Sequence, residues 1–396
     1  MKKYILVLYG LILVLIASSQ SCEEKAAQTP GKWIMSSYTP GYSKSDKKQT
    51  SGIESGKINM YLLMDTLTGI VKKALPQLQG FDGRITKKIL SSSDVNLSYG
   101  GYELYSHYFE YYCSNDVIKK ADESRTNFII SVNVLDVEDF LRKQFYFEPF
   151  GIKLYTVPIP AGRVQSFPSY QMYSYGDDPK FRADRFAVLI TRDQSVLPFT
   201  PVTKGEFYPL VRNCINQERE TQKKSITNNT PIRPKAELEA ELKKQMDEID
   251  KSSLGQDAKN ARKRRLQQDF RTDEQLLDEK LKAVDKQYEG YLTRLDEMER
   301  VFKNELNTPV FTKEWEFTLS VLNTSYNQQH LFNDSLHGYM IVKLNPAYFK
   351  KTAEKWKPQF FLVTWRKDNS YPYSRSLDAL WRTKLDFEKI RSLLVK

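Results

Sequence analysis

The sequence predicts an α+β protein in which an antiparallel sheet domain with packed helices carries a long, coiled-coil-like helical hairpin. Segments rich in aromatic and β-branched residues are typical of strands, and they alternate with segments that have a helical period. One later segment repeats apolar residues in heptads, which is the signature of a long packed helix. Together these three patterns account for the predicted elements.

The first half of the chain predicts one helix followed by several strands. Apolar residues recur near a 3.6-residue period over 55–75, and Pro76 ends that helix. The stretch 81–84 contains a glycine after an aspartate and predicts a turn. Predicted strands follow at 97–113, 127–135, 152–158, 169–175 and 185–192. Thr203 and Glu206 form a capping-box pattern, which predicts a helix from 204 to about 222.

The segment 231–307 predicts a helical hairpin. A short apolar stripe over 238–249 follows Pro234, and the turn residues 252–255 separate it from a longer helix. The longer helix carries an unbroken seam, spaced 4 and 3 residues in turn: Leu277, Leu281, Val284, Tyr288, Tyr291, Leu295, Met298 and Phe302. Packing of the seam within the chain is favoured, because such a stripe is also an ordinary buried helix face. A homodimer or another protein partner on this helical segment is the alternative.

The remaining boundaries divide the chain into five parts. A signal peptide covers 1–21, a flexible tether 22–56, the first α+β domain 57–230, and a C-terminal α+β segment 308–396 follows the hairpin. Strands at 338–344 and 359–365 and a helix at 376–394 are predicted in the last part. We expect the C-terminal segment to belong to the same body as the first domain.

The N-terminus has the layout of a secretory signal. Lys2 and Lys3 precede an apolar run over 4–17, and small polar residues lead to Cys22. Ser21 and Cys22 resemble a bacterial lipobox, which implies cleavage before Cys22 and acylation of its sulfur. The expected location is then the outer membrane or another envelope membrane, facing the periplasm or the cell surface. Ser19 and Gln20 fit the lipobox less well, so ordinary cleavage and a soluble secreted product remain the alternative.

The tether prediction for 22–56 rests on composition, since Ser, Thr, Pro, Gly and Lys dominate and few aliphatic residues are present. Once Cys22 is acylated, Cys113 and Cys214 are the remaining thiols. An exported protein could join them in a disulfide. Two buried thiols are the favoured alternative, because Cys214 lies on the apolar face of a predicted helix.

Charge and motifs narrow the function classes. The net charge of +11 favours anionic partners, but export argues against nucleic acid. The sequence predicts no cofactor, metal site or catalytic residue. Motifs for a nucleophile or a phosphate-binding loop are lacking, and His107, His330 and His337 do not have the spacing of metal ligands. Glu103 and Glu110 are the nearest catalytic candidates, and we interpret them as surface acids. The basic cluster 259–265 is interpreted as a solvated helix face with internal ion pairs.

Three short segments carry a resemblance: 343–349 (KLNPAYF), 360–365 (FFLVTW) and 197–207. They look like a family of uncharacterised secreted proteins of the Bacteroidota, and this resemblance implies no catalytic residues. We therefore expect a non-enzymatic envelope lipoprotein that serves binding or assembly. The aromatic-rich stretches 99–112 and 145–175 allow a second function, the binding of a carbohydrate or another small ligand. An envelope hydrolase is the third.

Overall fold

Two β-sheets lie face to face, and helices cover the outer face of each sheet. The structure, a computed structural model, describes residues 20–35, 56–90, 100–137, 140–178, 183–312, 316–319, 322, 338–349, 354 and 356–395. Helices and strands are both abundant in this part of the chain, so the predicted α+β class is confirmed. The buried apolar residues form three clusters, one between the sheets and one under each helical layer.

The elements follow in chain order. The N-terminal half contains α1 (Cys22–Gln28), β1 (Trp33–Met35), α2 (Lys57–Ala74), β2 (Phe81–Ile89), β3 (Tyr102–Ser114), β4 (Val117–Lys120), β5 (Thr126–Val132), β6 (Arg142–Lys143), β7 (Tyr155–Pro158), β8 (Pro160–Val164), β9 (Phe167–Asp178) and β10 (Ala183–Ile190). The C-terminal half contains β11 (Phe199–Pro201), α3 (Lys204–Asn229), α4 (Lys235–Lys251), α5 (Gln256–Asp269), α6 (Asp273–Val301), β12 (Phe311–Thr312), β13 (Tyr339–Leu344), β14 (Phe361–Asp368), α7 (Pro372–Lys384) and α8 (Phe387–Arg391).

The larger sheet joins the two ends of the chain. Its strand order is β1-β2-β3-β5-β14-β10-β9-β8, with β4 on β3, and β14 pairs antiparallel with β5 and β10. The predicted segment 308–396 therefore supplies a central strand to the body formed by 57–230, as expected. The run FFLVTW is apolar in most positions because both faces of β14 are covered. Val363 and Trp365 face the helices, and Leu362 faces the second sheet.

The smaller sheet supports the pair of helices α3 and α6. Its order is β11-β13-β7-β6, with β12 on β13. The long helix predicted over the heptad seam is present as α6, but its partner is α3 and not the short upstream helix. The predicted two-helix hairpin is wrong in a second respect, since Thr272 and Gln275 form a capping box that starts α6 anew. The turn at 252–255 leads into the separate polar helix α5.

Two predicted boundaries near the ends of the chain are also wrong. The helix predicted over 376–394 is divided into α7 and α8 between Leu385 and Asp386, where Asp386 caps α8. The segment predicted as a turn at 81–84 is the start of β2, and the turn lies at Gly80, which has φ +80°. Among the described residues, none of the helices is long and apolar enough to cross a bilayer.

Candidate ligand-binding cleft beside the Cys22–Cys113 disulfide

The N-terminal segment, residues 21–35, packs on the edge of the larger sheet. Its strand β1 pairs in parallel with β2, in the register Trp33 with Gly83. The Trp33 ring lies edge-on to Tyr108 at 6.1 Å between centroids. A Cβ atom on Gly83 would lie 2.5 Å from that indole, so glycine at this position makes room for it. Residues 22–35 are therefore not the flexible tether that composition predicts, and 36–55 lie outside the described residues.

The helix α1 begins with a capping box, and the residues after it make backbone hydrogen bonds. Ser21 Oγ accepts a hydrogen bond from the Glu24 amide at 3.1 Å, and the Glu24 carboxylate accepts one from the Ser21 amide at 2.9 Å. This reciprocal capping satisfies amides that a helix N-terminus leaves unpaired. After α1, the Gly80 amide donates to the carbonyl of Thr29, and the Gly31 amide donates to that of Leu78. The segment thus has a capped helix start and, after the helix, backbone hydrogen bonds to the stretch that precedes β2.

A disulfide joins the segment covalently to the sheet. Cys22 in α1 pairs with Cys113 at the end of β3, with the two Cα atoms 5.7 Å apart. The possible disulfide between Cys113 and Cys214 is not formed, because Cys214 lies in a different layer, under the smaller sheet with Val211 and Ile215. Burial raises the pKa of the Cys214 thiol to about 11, so that thiol stays protonated at neutral pH. The favoured alternative is that both cysteines are buried free thiols. It is confirmed for Cys214 and is wrong for Cys113, which is joined to Cys22.

A buried carboxylate connects the segment with β3 and β4. Asp82 accepts the Lys32 amide at 2.9 Å and the Tyr111 hydroxyl at 2.8 Å on one oxygen, and the Lys120 ammonium lies 3.4 Å from the other. Burial alone would raise the pKa of Asp82. The hydrogen bonds from Lys32, Tyr111 and Lys120 outweigh burial, and the pKa of Asp82 is lowered from its usual value. The charged carboxylate is therefore part of the docking contact.

Behind α1, a cleft of about 630 Å³ opens between the segment, β3 and α7. This volume lies in the range of small-molecule sites. Its polar and aromatic lining residues are Glu23, Gln77, Gln79, Phe81, Glu110, Tyr111, Tyr112, Tyr373 and Ser376, and Cys113 lies in its wall. Tyr112 is 42% exposed, so its ring is available to a ligand. The cleft thus combines flat apolar faces with hydrogen-bonding groups.

The pKa of the Glu110 carboxyl group in the cleft wall is affected by burial. Desolvation raises the pKa of its carboxyl group, and the nearby Asp368 carboxylate raises it further. Its interpretation as a surface acid is wrong, because it is half-buried in the cleft wall. Glu103 is buried outright and accepts a hydrogen bond from Ser131 at 3.1 Å. Successive side chains of β3 point to opposite faces of the sheet, so the two acids are separated: Glu110 faces the helices and Glu103 does not.

The other candidate residues lie away from the cleft. His107 stacks near Tyr105, at 4.5 Å between ring centroids, while His330 and His337 lie outside the described residues. Cys22, Cys113 and Asp116 have ligand atoms close together, but sulfurs joined in a disulfide are not thiolate ligands. In the basic cluster 259–265, Arg265 pairs with Asp269 on the same helix, as an internally paired helix face requires, and Lys263 pairs with Asp250 of α4.

Sequence reasoning found part of the cleft. It singled out the aromatic stretch 99–112, which supplies Tyr111 and Tyr112, and it named Glu110. It missed Glu23, Gln77, Gln79 and Tyr373, because these residues come from three other segments that approach only in the folded chain. The available signal was the capping-box spacing of Ser21 and Glu24, which indicates a helix where composition indicates a tether.

The chain matches no protein-family model, no curated protein and no solved structure. The resemblance to secreted proteins of the Bacteroidota stays a prediction.

Proposed function

We propose that this protein is an exported binding protein of the cell envelope that holds a neutral, hydroxyl-rich ligand, such as a glycan, in the cleft beside Cys113. The observation that carries the proposal is the composition of the lining: aromatic rings, side-chain amides and carboxylates around one cavity. Binding without catalysis is the simplest use of such a lining. Among the described residues the lining contains no histidine, and its cysteine, Cys113, is held in the disulfide.

The charge of the cleft supports the ligand class. The whole chain carries a net charge of +11, yet the charged residues among those described in this lining are the acids Glu23 and Glu110. Two carboxylates disfavour phosphate and other anions, which would face like charge in a partly desolvated cavity. Tyr112 offers a flat face for the apolar side of a sugar ring, and Gln77 and Gln79 can both donate to and accept from hydroxyl groups.

Calorimetric titration of the purified protein with neutral oligosaccharides tests the proposal. Tyr112→Ala removes an exposed ring from the cleft, and we expect the affinity to fall about tenfold, as loss of one ring contact of roughly 1.4 kcal/mol implies. Phe145→Ala is the matched control, because Phe145 is also an exposed ring but does not line the cleft. Absence of binding across the series, or an equal loss in both variants, contradicts the proposal. If the protein binds a cationic peptide more tightly than neutral oligosaccharides, the proposed class of ligand is wrong.

A hydrolase is a second candidate, supported by the raised pKa of Glu110. A carboxyl group whose pKa is raised holds its proton to higher pH and can act as a general acid on a glycosidic bond. Glu110→Gln separates the two functions, because the amide keeps the shape and hydrogen-bonding capacity of the side chain but cannot transfer a proton. A pure binding protein retains ligand affinity in this variant. A hydrolase retains binding and loses turnover of the same oligosaccharide.

The burial of the apolar seam on α6 bears on the oligomeric state of the protein. We propose that the protein acts as a monomer, because five of the eight seam residues on α6 are already buried within the chain: Val284, Tyr288, Leu295, Met298 and Phe302. Light scattering should give the monomer mass, and a stable dimer that dissociates when Leu277 and Leu281 are replaced by glutamine would restore the assembly function. Nucleic acid is not a proposed partner, since the signal-like N-terminus directs the chain to export.

A further inference from the structure

We propose that Cys22 is a structural cysteine of the exported protein, held in a disulfide with Cys113, and that it is not an attachment site for acyl chains. The proposal concerns the state of one sulfur atom and does not depend on what the cleft binds. It also removes the anchor that the sequence predicts, since a protein with this disulfide has no lipid at Cys22.

The two states of Cys22 exclude each other chemically. Attachment of the lipid to a lipoprotein cysteine forms a thioether at Sγ, and a disulfide uses the same sulfur. They also differ in where the mature chain begins. Cleavage before Cys22 removes Ser21, whose hydroxyl and amide form the capping box with Glu24. Cleavage after Ser19, where Ala17 and Ser19 fit the small-residue pattern of ordinary signal peptides, keeps that cap.

The residues after Cys22 are placed as a structural disulfide requires. Ala26 is buried, the Tyr111 amide donates to the carbonyl of Gly80, and Gly80 in turn donates to Thr29. Such a chain of contacts brings α1 against β3 without help from the sulfur. The disulfide then joins two elements that noncovalent contacts already hold together, with the Cα atoms of Cys22 and Cys113 lying 5.7 Å apart, a distance that a disulfide spans without movement of the backbone.

The docked segment leaves little room for a linker between a membrane anchor at Cys22 and the body. Three residues separate Cys22 from the buried Ala26, and ten separate it from strand β1, which belongs to the larger sheet. Acyl chains on Cys22 would emerge at the sheet edge itself, beside Glu23 and the cleft. The stretch directly after Cys22, which composition predicts to be a flexible tether, is a capped helix followed by a strand.

Formation of the bond requires an external oxidant. The thiols of Cys22 and Cys113 together lose two protons and two electrons, and an external disulfide, of a protein or a small molecule, is reduced to two thiols. The first thiolate attacks the external disulfide and forms a mixed disulfide, and the second then displaces the external thiol. The bacterial periplasm is kept oxidising, so the exported chain meets this co-reactant there.

Counting thiols in the mature protein tests the proposal. The full chain, with its signal, is expressed in bacteria that process both lipoproteins and ordinary exported proteins, and the mature product is denatured and treated with a maleimide. Three cysteines are present, so we expect one label on Cys214 before reduction and three labels after it. Two labels both before and after reduction, or none before and two after, with the mass of an acyl group retained, would overturn the proposal.

Two variants secure the assignment. Cys214→Ala should give no label before reduction and two after it, because its removal leaves the Cys22–Cys113 pair intact. Cys113→Ser should give two labels under both conditions, on Cys22 and Cys214. An acylated Cys22 would leave one label in each variant under both conditions. If Cys113→Ser does not accumulate, Cys214→Ala alone still separates the two states.

Discussion

The N-terminal segment and the pair of helices α3 and α6 are both docked on a sheet, but by different forces. The helices bury a continuous apolar surface, in which Tyr208, Val211, Leu295 and Met298 are almost inaccessible to water. The N-terminal segment buries one alanine fully and one tryptophan partly. It is held instead by a disulfide, backbone hydrogen bonds and the carboxylate of Asp82.

Of these two kinds of docking, only the apolar kind can be recognised in an amino-acid sequence. Apolar docking repeats along a helix, so the stripe on α6 can be recognised from residue spacing alone. Polar and covalent docking depends on single partners far away in the chain, such as Lys32 with Asp82, and leaves no periodic pattern. The two kinds of docking should also respond differently to substitution, most strongly where a covalent bond is lost.

Removing the disulfide should cost the most. The bond closes a separation of 91 residues, for which the chain-entropy model gives about 4 to 5 kcal/mol of the free energy of unfolding. We expect a reductant to lower the denaturation midpoint of the wild-type protein. The double variant Cys22→Ser/Cys113→Ser should have the lower midpoint already and should not respond to the reductant. An unchanged wild-type midpoint would show that the backbone contacts suffice.

Truncation inside the helical pair should come next. Leu295→Ala removes a fully buried side chain between α6 and α3, and we expect a loss of about 3 kcal/mol in the free energy of unfolding. Arg264→Ala on α5 is the control, because α5, which is described along its whole length, buries no residue, and its effect should stay below about 0.5 kcal/mol. Denaturant titration measures both. A similar loss in the two variants would mean that apolar burial does not distinguish α6 from α5.

The carboxylate of Asp82 should have an intermediate effect confined to the N-terminal segment. Asp82→Asn keeps one acceptor but loses the charge that Tyr111 and Lys120 face, and we expect a loss of about 2 kcal/mol. Hydrogen exchange should accelerate in 21–35 and remain slow in α6. Glu123→Gln, at an exposed position, is the matched control. Equal acceleration in both regions would contradict a local role.

The same carboxylate predicts a pH dependence. The pKa of Asp82 in the folded chain lies below its usual value of 3.8, so its contribution to stability is complete above that value and is lost as the pH falls further through the folded pKa. The wild-type protein should therefore lose more stability than Asp82→Asn below about pH 4. If the free energies of unfolding of the two proteins fall in parallel with pH in this range, the charge of Asp82 does not contribute to stability.

The smallest effect is expected from the cation above Trp33. The Lys72 ammonium lies 5.9 Å from the centre of the indole ring, and contacts of this kind contribute roughly 0.5 kcal/mol at exposed sites. Lys72→Met should weaken docking of the segment by that amount, seen as slightly faster exchange in 33–35. Lys73→Met, the exposed neighbour, should leave the exchange rates unchanged.

Local patterns in the sequence account for the fold class, most strand positions, the start of α3 and the existence of α6, because alternation, capping spacing and heptads each involve residues that are close along the chain. Aromatic richness also located β3 and with it Glu110 and Tyr112. Composition failed for 22–35, where backbone hydrogen bonds and one disulfide compensate for the lack of apolar residues.

The choice of partners, in contrast, depended on tertiary packing. Cys113 pairs with Cys22 because α1 docks at the end of β3, whereas Cys214 is buried in another layer. The seam of α6 is covered by α3, although α4 and α5 separate these two helices along the sequence. A side chain shows its preference for burial locally, but the selection among several suitable partners depends on how the whole chain packs.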